Sequence, residues 1–144
     1  MKRHEALAPL SREHHGTLIL ARLLKKNAPE YKGLPTNATD KAAYALQQFE
    51  KLIKKHFRQE EAILEKAKGC HDEIKSLAVE IIQEHQQLTA LFLSLNVAST
   101  PEDTMDRLAN ALENHIRKEE RVLFPLLQQH CSEALLQQIH NDLH

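Results

Sequence analysis

HFRQEE, residues 56–61, and HIRKEE, residues 115–120, are near-copies of one string, and their reading decides the fold. Each sets a histidine four residues ahead of a glutamate: His56 with Glu60, and His115 with Glu119. On a helix, residues four apart share a face, one turn apart. That face is otherwise apolar. Phe49 and Ile53 precede the first pair and Ile63 follows it, while Leu108, Leu112, Val122 and Leu126 flank the second. The pattern therefore drives two imidazoles and two carboxylates into a helical core. A buried carboxylate is costly unless it is paired, hydrogen-bonded or metal-bound. Two such insertions in one small chain point to a metal centre.

Outward from these strings the chain reads as four long helices and a short fifth. The first is expected from Ser11, a plausible N-cap, to Asn27, with the stripe Leu7, Leu10, Leu18, Ala21 and Leu24. After a loop with Pro29, Gly33 and Pro35, the second runs from Asn37 to Gly69, a natural helix-ending residue. Its stripe is Ala42, Leu46, Phe49, Ile53, His56, Glu60 and Ile63. The third spans Asp72 to Asn96, with Ile74, Leu77, Ile81, His85, Leu88, Phe92 and Leu95 in line. The fourth opens on Thr100-Pro101-Glu102-Asp103, an N-cap, a proline at N1 and acidic first-turn residues, and continues to Gln129 with a kink expected at Pro125. A last amphipathic stretch starts at Ser132. No strand-like alternation competes. The expected fold is all-α: a single domain over residues 1–144, an up-down-up-down four-helix bundle with a short additional C-terminal helix. That helix or the N-terminal segment is expected to cover the open end beside the shorter first helix.

Composition agrees and narrows the function classes. Gly is scarce at 3, aromatics are 4%, and 19 Lys and Arg nearly balance 20 Asp and Glu. No basic block stands out, so nucleic acid is not an expected partner. No apolar run approaches the ~20 residues that span a bilayer. The N-terminus MKRHEALAPLSREHH has no apolar signal region, and Cys70 and Cys131 lack CxxC spacing. Cytoplasmic residence is the expectation. Of the 10 histidines, His4, His71, His130, His140 and His144 do not share the inward placement and read as surface residues.

In an antiparallel bundle the inward positions of all four helices meet at one level. The second and fourth helices supply His56, Glu60, His115 and Glu119, the third supplies His85 from EHQQL, and the first supplies His14 from EHHGTL. His14 continues Leu7 and Leu10 at helical spacing, whereas His15 lies on the flank with Arg12, Arg22 and Lys26, so His15 is the alternative to His14. Glu61 and Glu120 fall on a different azimuth and read as surface charges, and Lys54, Lys55, Arg58, Arg117 and Lys118 as a solvated face. A single HxxxE is common as a surface ion pair, and a single inward histidine is usually a satisfied core residue. Two copies in register with the core, plus one inward histidine on each remaining helix, outweigh that reading. Four His and two Glu suffice for two metal ions bridged by carboxylates. Imidazole and carboxylate ligands suit iron, with manganese or zinc as alternatives.

These strings resemble the hemerythrin-like, HHE cation-binding domain family. The resemblance covers nearly the whole chain and rests on EHH at His14, HFRQEEAIL at His56, EHQQL at His85 and HIRKEERVLFP at His115. The last is the most specific, since the family commonly shows HxxxEExxLFP. The resemblance implies a four-helix bundle around two non-haem iron ions with an oxo or hydroxo bridge. Glu60 and Glu119 are then the bridging carboxylates, and His14, His56, His85 and His115 the remaining ligands. Oxygen-carrying hemerythrins have five His, one Glu and one Asp, with an HxxxH pair on the third helix. Here Ile81 and Thr89 stand four residues either side of His85, and Glu119 replaces the Asp. The ligand set is closer to that of hemerythrin-like iron-sulfur repair proteins, whose N-terminal cysteine-containing segment is not seen in this sequence. Neither pure oxygen carriage nor the repair role is therefore expected. Ferritin-like chemistry is not expected either, because those proteins use Glu-x-x-His.

Three functions compete. The first is a di-iron module that senses, stores or scavenges O2, NO or iron. The second is a redox enzyme on the same centre: an oxidase, or a consumer of peroxide or NO. The third is a metal-free helical interaction module whose buried His and Glu merely pair, which is disfavoured because buried pairs stabilise weakly.

Overall fold

The computed structural model describes residues 2–96 and 101–143. These residues form helices and connections, with no strand among them. Helix α1 is Ala8–Leu24, α2 covers 38–67, α3 is Asp72–Ser94, α4 covers 101–130 and α5 is Glu133–Leu143. Helices α1 to α4 make the bundle, with α1 packed chiefly on α4, and α3 on both α2 and α4. No helix is long and apolar enough to cross a membrane among the described residues.

The core is layered. One apolar cluster joins Leu20, Leu24, Phe49, Phe92, Leu108 and Leu112. A second joins Leu7, Leu10, Ile63, Ile81, Phe124 and Leu127, closed by Leu136 and Ile139 of α5. Both the N-terminal segment and α5 therefore cover the open end. Among the described residues, the buried polar or charged side chains are His14, His56, Glu60, His85, His115 and Glu119. Hydrophobic burial drives the two apolar clusters together, and the helical periodicity of α1 to α4 sets these six side chains in a layer between them.

Helices α2 and α4 are each interrupted by one widened turn, at Phe49–Ile53 and Glu119–Leu123. There the Lys54 and Phe124 N–H groups donate to the carbonyls of Phe49 and Glu119, five residues back rather than four. Such π-turns add one residue to the helix and shift everything beyond by one position. The sequence stripe misses this in α4. Val122 is 44% exposed and Leu126 only half-buried, while Leu123, Phe124 and Leu127 turn inward instead. The π-turn also stands where a kink was expected. Pro125 has no N–H to give the Arg121 carbonyl, and the helix opens just ahead of it.

Other expectations are corrected. The first helix starts at Ala8 with Leu7 at its N-cap, so Ser11 is not a cap. Pro9, compatible with a first turn, carries the start, and the Ser11 hydroxyl donates to Glu120 at 2.8 Å instead. Gly69 follows the helix end but without a left-handed φ, which among the glycines only Gly33 adopts. Thr100 and His144 lie outside the described residues. Ser132 does cap α5, accepting from Leu135 N–H at 3.1 Å. His4 and His71 are half-buried rather than surface residues, and each accepts a backbone N–H through Nδ1, from Ala6 and Glu73. His130 is half-buried and stacks on His71, and His140 is also half-buried.

Candidate metal centre

Helices α1 to α4 bring the six inward residues into contact. His14 Nε2 stands 3.3 Å from Glu60 Oε2 and 3.1 Å from Glu119 Oε1. His56 Nε2 is 3.0 Å from Glu60 Oε2 and 3.0 Å from His14 Nε2. His85 Nε2 is 3.0 Å from Glu60 Oε1, and His115 Nε2 is 3.1 Å from Glu119 Oε1. The result is two overlapping groups. His14, His56, Glu60 and Glu119 form one, and Glu60, His85, His115 and Glu119 the other, with candidate ligand atoms within 4.8 Å of one another. Both carboxylates belong to both groups. His14, 3% exposed, joins the cluster, whereas His15 is exposed and does not.

The fit to a cation is testable on the donor set itself. Each histidine turns Nδ1 away from the cluster, toward an outer carboxylate: His14 to Glu120 at 3.0 Å, His56 to Glu13 at 3.3 Å, His85 to Glu61 at 2.9 Å and His115 to Glu84 at 2.7 Å. A carboxylate accepts, so it selects the imidazole form with the proton on Nδ1 and leaves the Nε2 lone pair facing inward. Four lone pairs and two carboxylates then face one another. Both oxygens of Glu119, one of Glu60 and His115 Nε2 find no hydrogen-bond partner despite the short approaches. A buried polar group without a partner costs about 1–3 kcal/mol, and cations placed among these atoms would satisfy all of them.

Known proteins support the same reading. The family model for the hemerythrin HHE cation-binding domain matches residues 5–127. The chain belongs to that family. No curated protein and no solved structure matches the chain significantly. The match spans α1 to α3 and α4 almost to its end, and so includes all six clustered side chains.

The outer carboxylates of this HHE domain are what sequence reasoning missed. Glu61 and Glu120 are not free surface charges. With Glu13 and Glu84 they close a ring around the bundle. Glu13 of α1 holds the α2 histidine, Glu61 of α2 the α3 histidine, Glu84 of α3 the α4 histidine, and Glu120 of α4 the α1 histidine. The signal was present in the sequence: four of the six inward residues have a glutamate as immediate neighbour, in EH at 13–14 and 84–85 and EE at 60–61 and 119–120. Adjacent helical positions diverge by about 100°, which carries the second carboxylate around to the next helix. Glu120 is itself held by Ser11 and by Arg3, which donates to its carboxylate at 3.5 Å. Lys118 pairs with Glu84. Aromatic rings fix the imidazole planes: Phe57 stacks on His85 at 4.1 Å, and Phe124, turned inward by the π-turn, on His14 at 5.7 Å.

Outer partners that orient a ligating histidine typically change metal affinity 10–100-fold when removed. Glu61→Ala is therefore expected to weaken metal binding by roughly 10–100-fold with helicity unchanged, read by competition against a chelator. Glu65→Ala, which removes only an exposed pair with Lys68, is expected to leave affinity unchanged.

Without metal, protons hold the cluster together. Burial pushes His14 down, but the nearby carboxylates of Glu119, Glu120 and Glu60 overcome this and raise it to about 11. His56 is raised to about 9 by Glu60 and Glu13 against burial, and His115 to about 9 by Glu119 and Glu84 against burial. Glu60 is driven well below its ordinary value, its burial outweighed by the charge of His56 and by the close approach of His14, His56 and His85. Glu84 falls to about 2, chiefly through His115. The sign for stability follows from linkage. Raised histidines stabilise the fold fully below their unfolded value near 6.5, and that contribution is lost as pH rises through about 9. The metal-free protein is therefore expected to lose thermal stability between about pH 7 and 10, and the metal-loaded protein much less. Melts of both forms across that range decide it: parallel pH curves would show that no metal replaces these protons.

Proposed function

We propose that this HHE domain is a non-haem di-iron protein that senses, stores or scavenges O2, NO or iron itself. The observation that carries the reading is the sharing of Glu60 and Glu119 by two four-residue groups, each completed by two histidines. Such a set suits two ions, one per group, with the carboxylates between them. Imidazole and carboxylate ligands favour iron, with manganese or zinc the alternatives. When bound, iron supplies a redox-active Lewis acid with affinity for small diatomic molecules. The protein supplies the rest. Glu60 and Glu119 offset the ions' charge, the four imidazoles complete the groups, and the outer glutamates hold each ring in place.

Space beside the cluster favours a very small ligand. A cavity of about 10 Å³ lies against His14, His56, His115 and Glu119, walled by Ile53, Phe57, Leu112 and Ile116. A space of this size takes about one water, which suits a diatomic molecule better than an organic substrate. A di-iron enzyme consuming peroxide or NO is the second reading, since both are small enough for the same cavity.

Metal analysis after anaerobic iron reconstitution tests the proposal, with about two irons per chain expected. Absence of bound iron, manganese and zinc would sink it. Oxidised iron-loaded protein should show the near-ultraviolet bands of a bridged ferric pair. Stopped-flow mixing with O2, peroxide or NO separates the two readings: stoichiometric binding supports the sensor or store, and sustained turnover the enzyme.

A further inference from the structure

The two cysteines, 61 positions apart, lie together in the fold. Cys70 follows the end of α2 and Cys131 the end of α4, each tied back by its N–H to its helix, to the Ala67 and Leu127 carbonyls at 2.9 Å. Cys131 is 7% exposed within the second apolar cluster, and half-buried Cys70 packs against that cluster. Both side chains thus belong to one cluster at the same end of the bundle. Their chain neighbours meet as well: His71 and His130 stack with ring centroids 4.0 Å apart. The two segments are thus held side by side by a second contact independent of the sulfurs. The same pseudo-repeat that relates HFRQEE to HIRKEE brings the ends of α2 and α4 to one end of the bundle.

We propose that Cys70 and Cys131 are a redox modification site that closes to an intramolecular disulfide, with a small disulfide such as oxidised glutathione as oxidant. The half-exposed Cys70 thiolate attacks the glutathione disulfide. Its sulfur–sulfur bond breaks, one glutathione thiolate leaves, and a mixed disulfide forms on Cys70. Cys131 then gives up its proton and attacks the Cys70 sulfur, releasing the second glutathione thiolate. Two protein thiols are oxidised by two electrons, and one glutathione disulfide is reduced to two glutathiones. The roles follow exposure: Cys70 is reachable from solvent, while Cys131 is enclosed in the apolar cluster. Burial, then the Cys70 contact, pushes the Cys131 thiol up to about 12. A thiol of high pKa is a poor leaving group, which disfavours reductive opening by attack at the exposed Cys70 sulfur. The bridge would tie the α2–α3 turn to the α4–α5 turn across a loop of about 60 residues, long enough to restrict the unfolded chain strongly.

The full chain, incubated with oxidised glutathione and quenched with an alkylating reagent under denaturing conditions, tests this by intact mass. The expected product is monomeric, lacks two hydrogens and takes up no alkyl group. Its thermal midpoint should rise by roughly 5 °C or more, and prolonged dithiothreitol treatment should restore two alkylatable thiols. Cys131→Ala should halt at one glutathione on Cys70, and Cys70→Ser should stay unmodified at Cys131. Three results overturn the proposal: a stable glutathione adduct in the unmutated protein, bridging only between chains, or two thiols still free after oxidation. A bridge that forms without raising the midpoint also counts against it, because the native structure would then not place the sulfurs for bonding. None of these readouts depends on the metal reading.

Discussion

Glu60→Ala or Glu119→Ala is expected to take metal content from about two ions per chain to near none, whereas each single histidine change leaves one group intact. The difference lies in membership. Glu60 and Glu119 each belong to both four-residue groups, while every histidine belongs to one. Losing a shared carboxylate removes a ligand from both groups at once. It also removes negative charge from a buried layer that must accept cations, which is the larger penalty where water cannot screen. His56→Ala and His115→Ala should each weaken one group, retaining about half the metal, and His130→Ala should retain all of it. His14→Ala should behave as His56→Ala and His15→Ala as the unmutated protein, because His14 is buried in the cluster and His15 is exposed. Metal content is measured beside circular dichroism, so that loss of fold is not read as loss of ligand. Glu60→Gln keeps the shape and removes only the charge, and should still lower affinity strongly. Equal metal in the glutamate, histidine and His130 variants would refute the assignment.

What the sequence made legible, and what it hid, divides along physical lines. The bundle was legible because helical periodicity is local, and each stripe needs only its own helix. The six clustered residues were legible for the same reason, since each is a polar interruption of an apolar stripe. The choice of His14 over His15 rested on the same arithmetic. Three features escaped it. The π-turn at Glu119–Leu123 shifts the register by one residue, and periodicity read at a constant 3.6 turned Val122 inward where Leu123 and Phe124 actually point. The outer carboxylates were misread because their partners lie on other helices. Glu61 looks solvent-facing on α2 alone, and only the approach of α3 shows that it meets His85. Cys70 and Cys131 escaped because nothing in their spacing encodes contact between the ends of two helices. The pH window moved as well. Free histidine titrates near 6.5, but in the cluster His56 and His115 hold protons to about 9. Metal must displace those protons, so affinity should begin to fall on acidification well above pH 6.5.

Removing metal is expected to lower the thermal midpoint by about 10 °C while leaving the bundle folded. Metal that binds only the folded state contributes RT ln(1 + [L]/Kd), roughly 4 kcal/mol at a thousandfold excess over Kd. For a domain of this size each kcal/mol moves the midpoint by about 2–4 °C. Against that loss stands what the metal-free layer can still do. Glu60 stays ionised beside His14 and His56, which hold protons up to about 11 and about 9. The layer therefore pairs with itself rather than exposing bare charges to a dry core. Buried pairs of this kind roughly break even against their desolvation, so the layer neither holds the fold nor destroys it. The apolar clusters on either side then decide the outcome. Phe49, Phe92 and Leu108 on one side and Leu10, Ile81 and Phe124 on the other are at most 2% exposed. Burying a side chain of that kind contributes about 1.5–3 kcal/mol, and none of these contacts needs an ion. Matched melts of chelated and iron-loaded protein, followed by circular dichroism, put the balance to the test. Identical midpoints would mean that the six residues do not hold metal. A chelated chain without helical signal would mean that the ions, and not the apolar clusters, hold the four helices together.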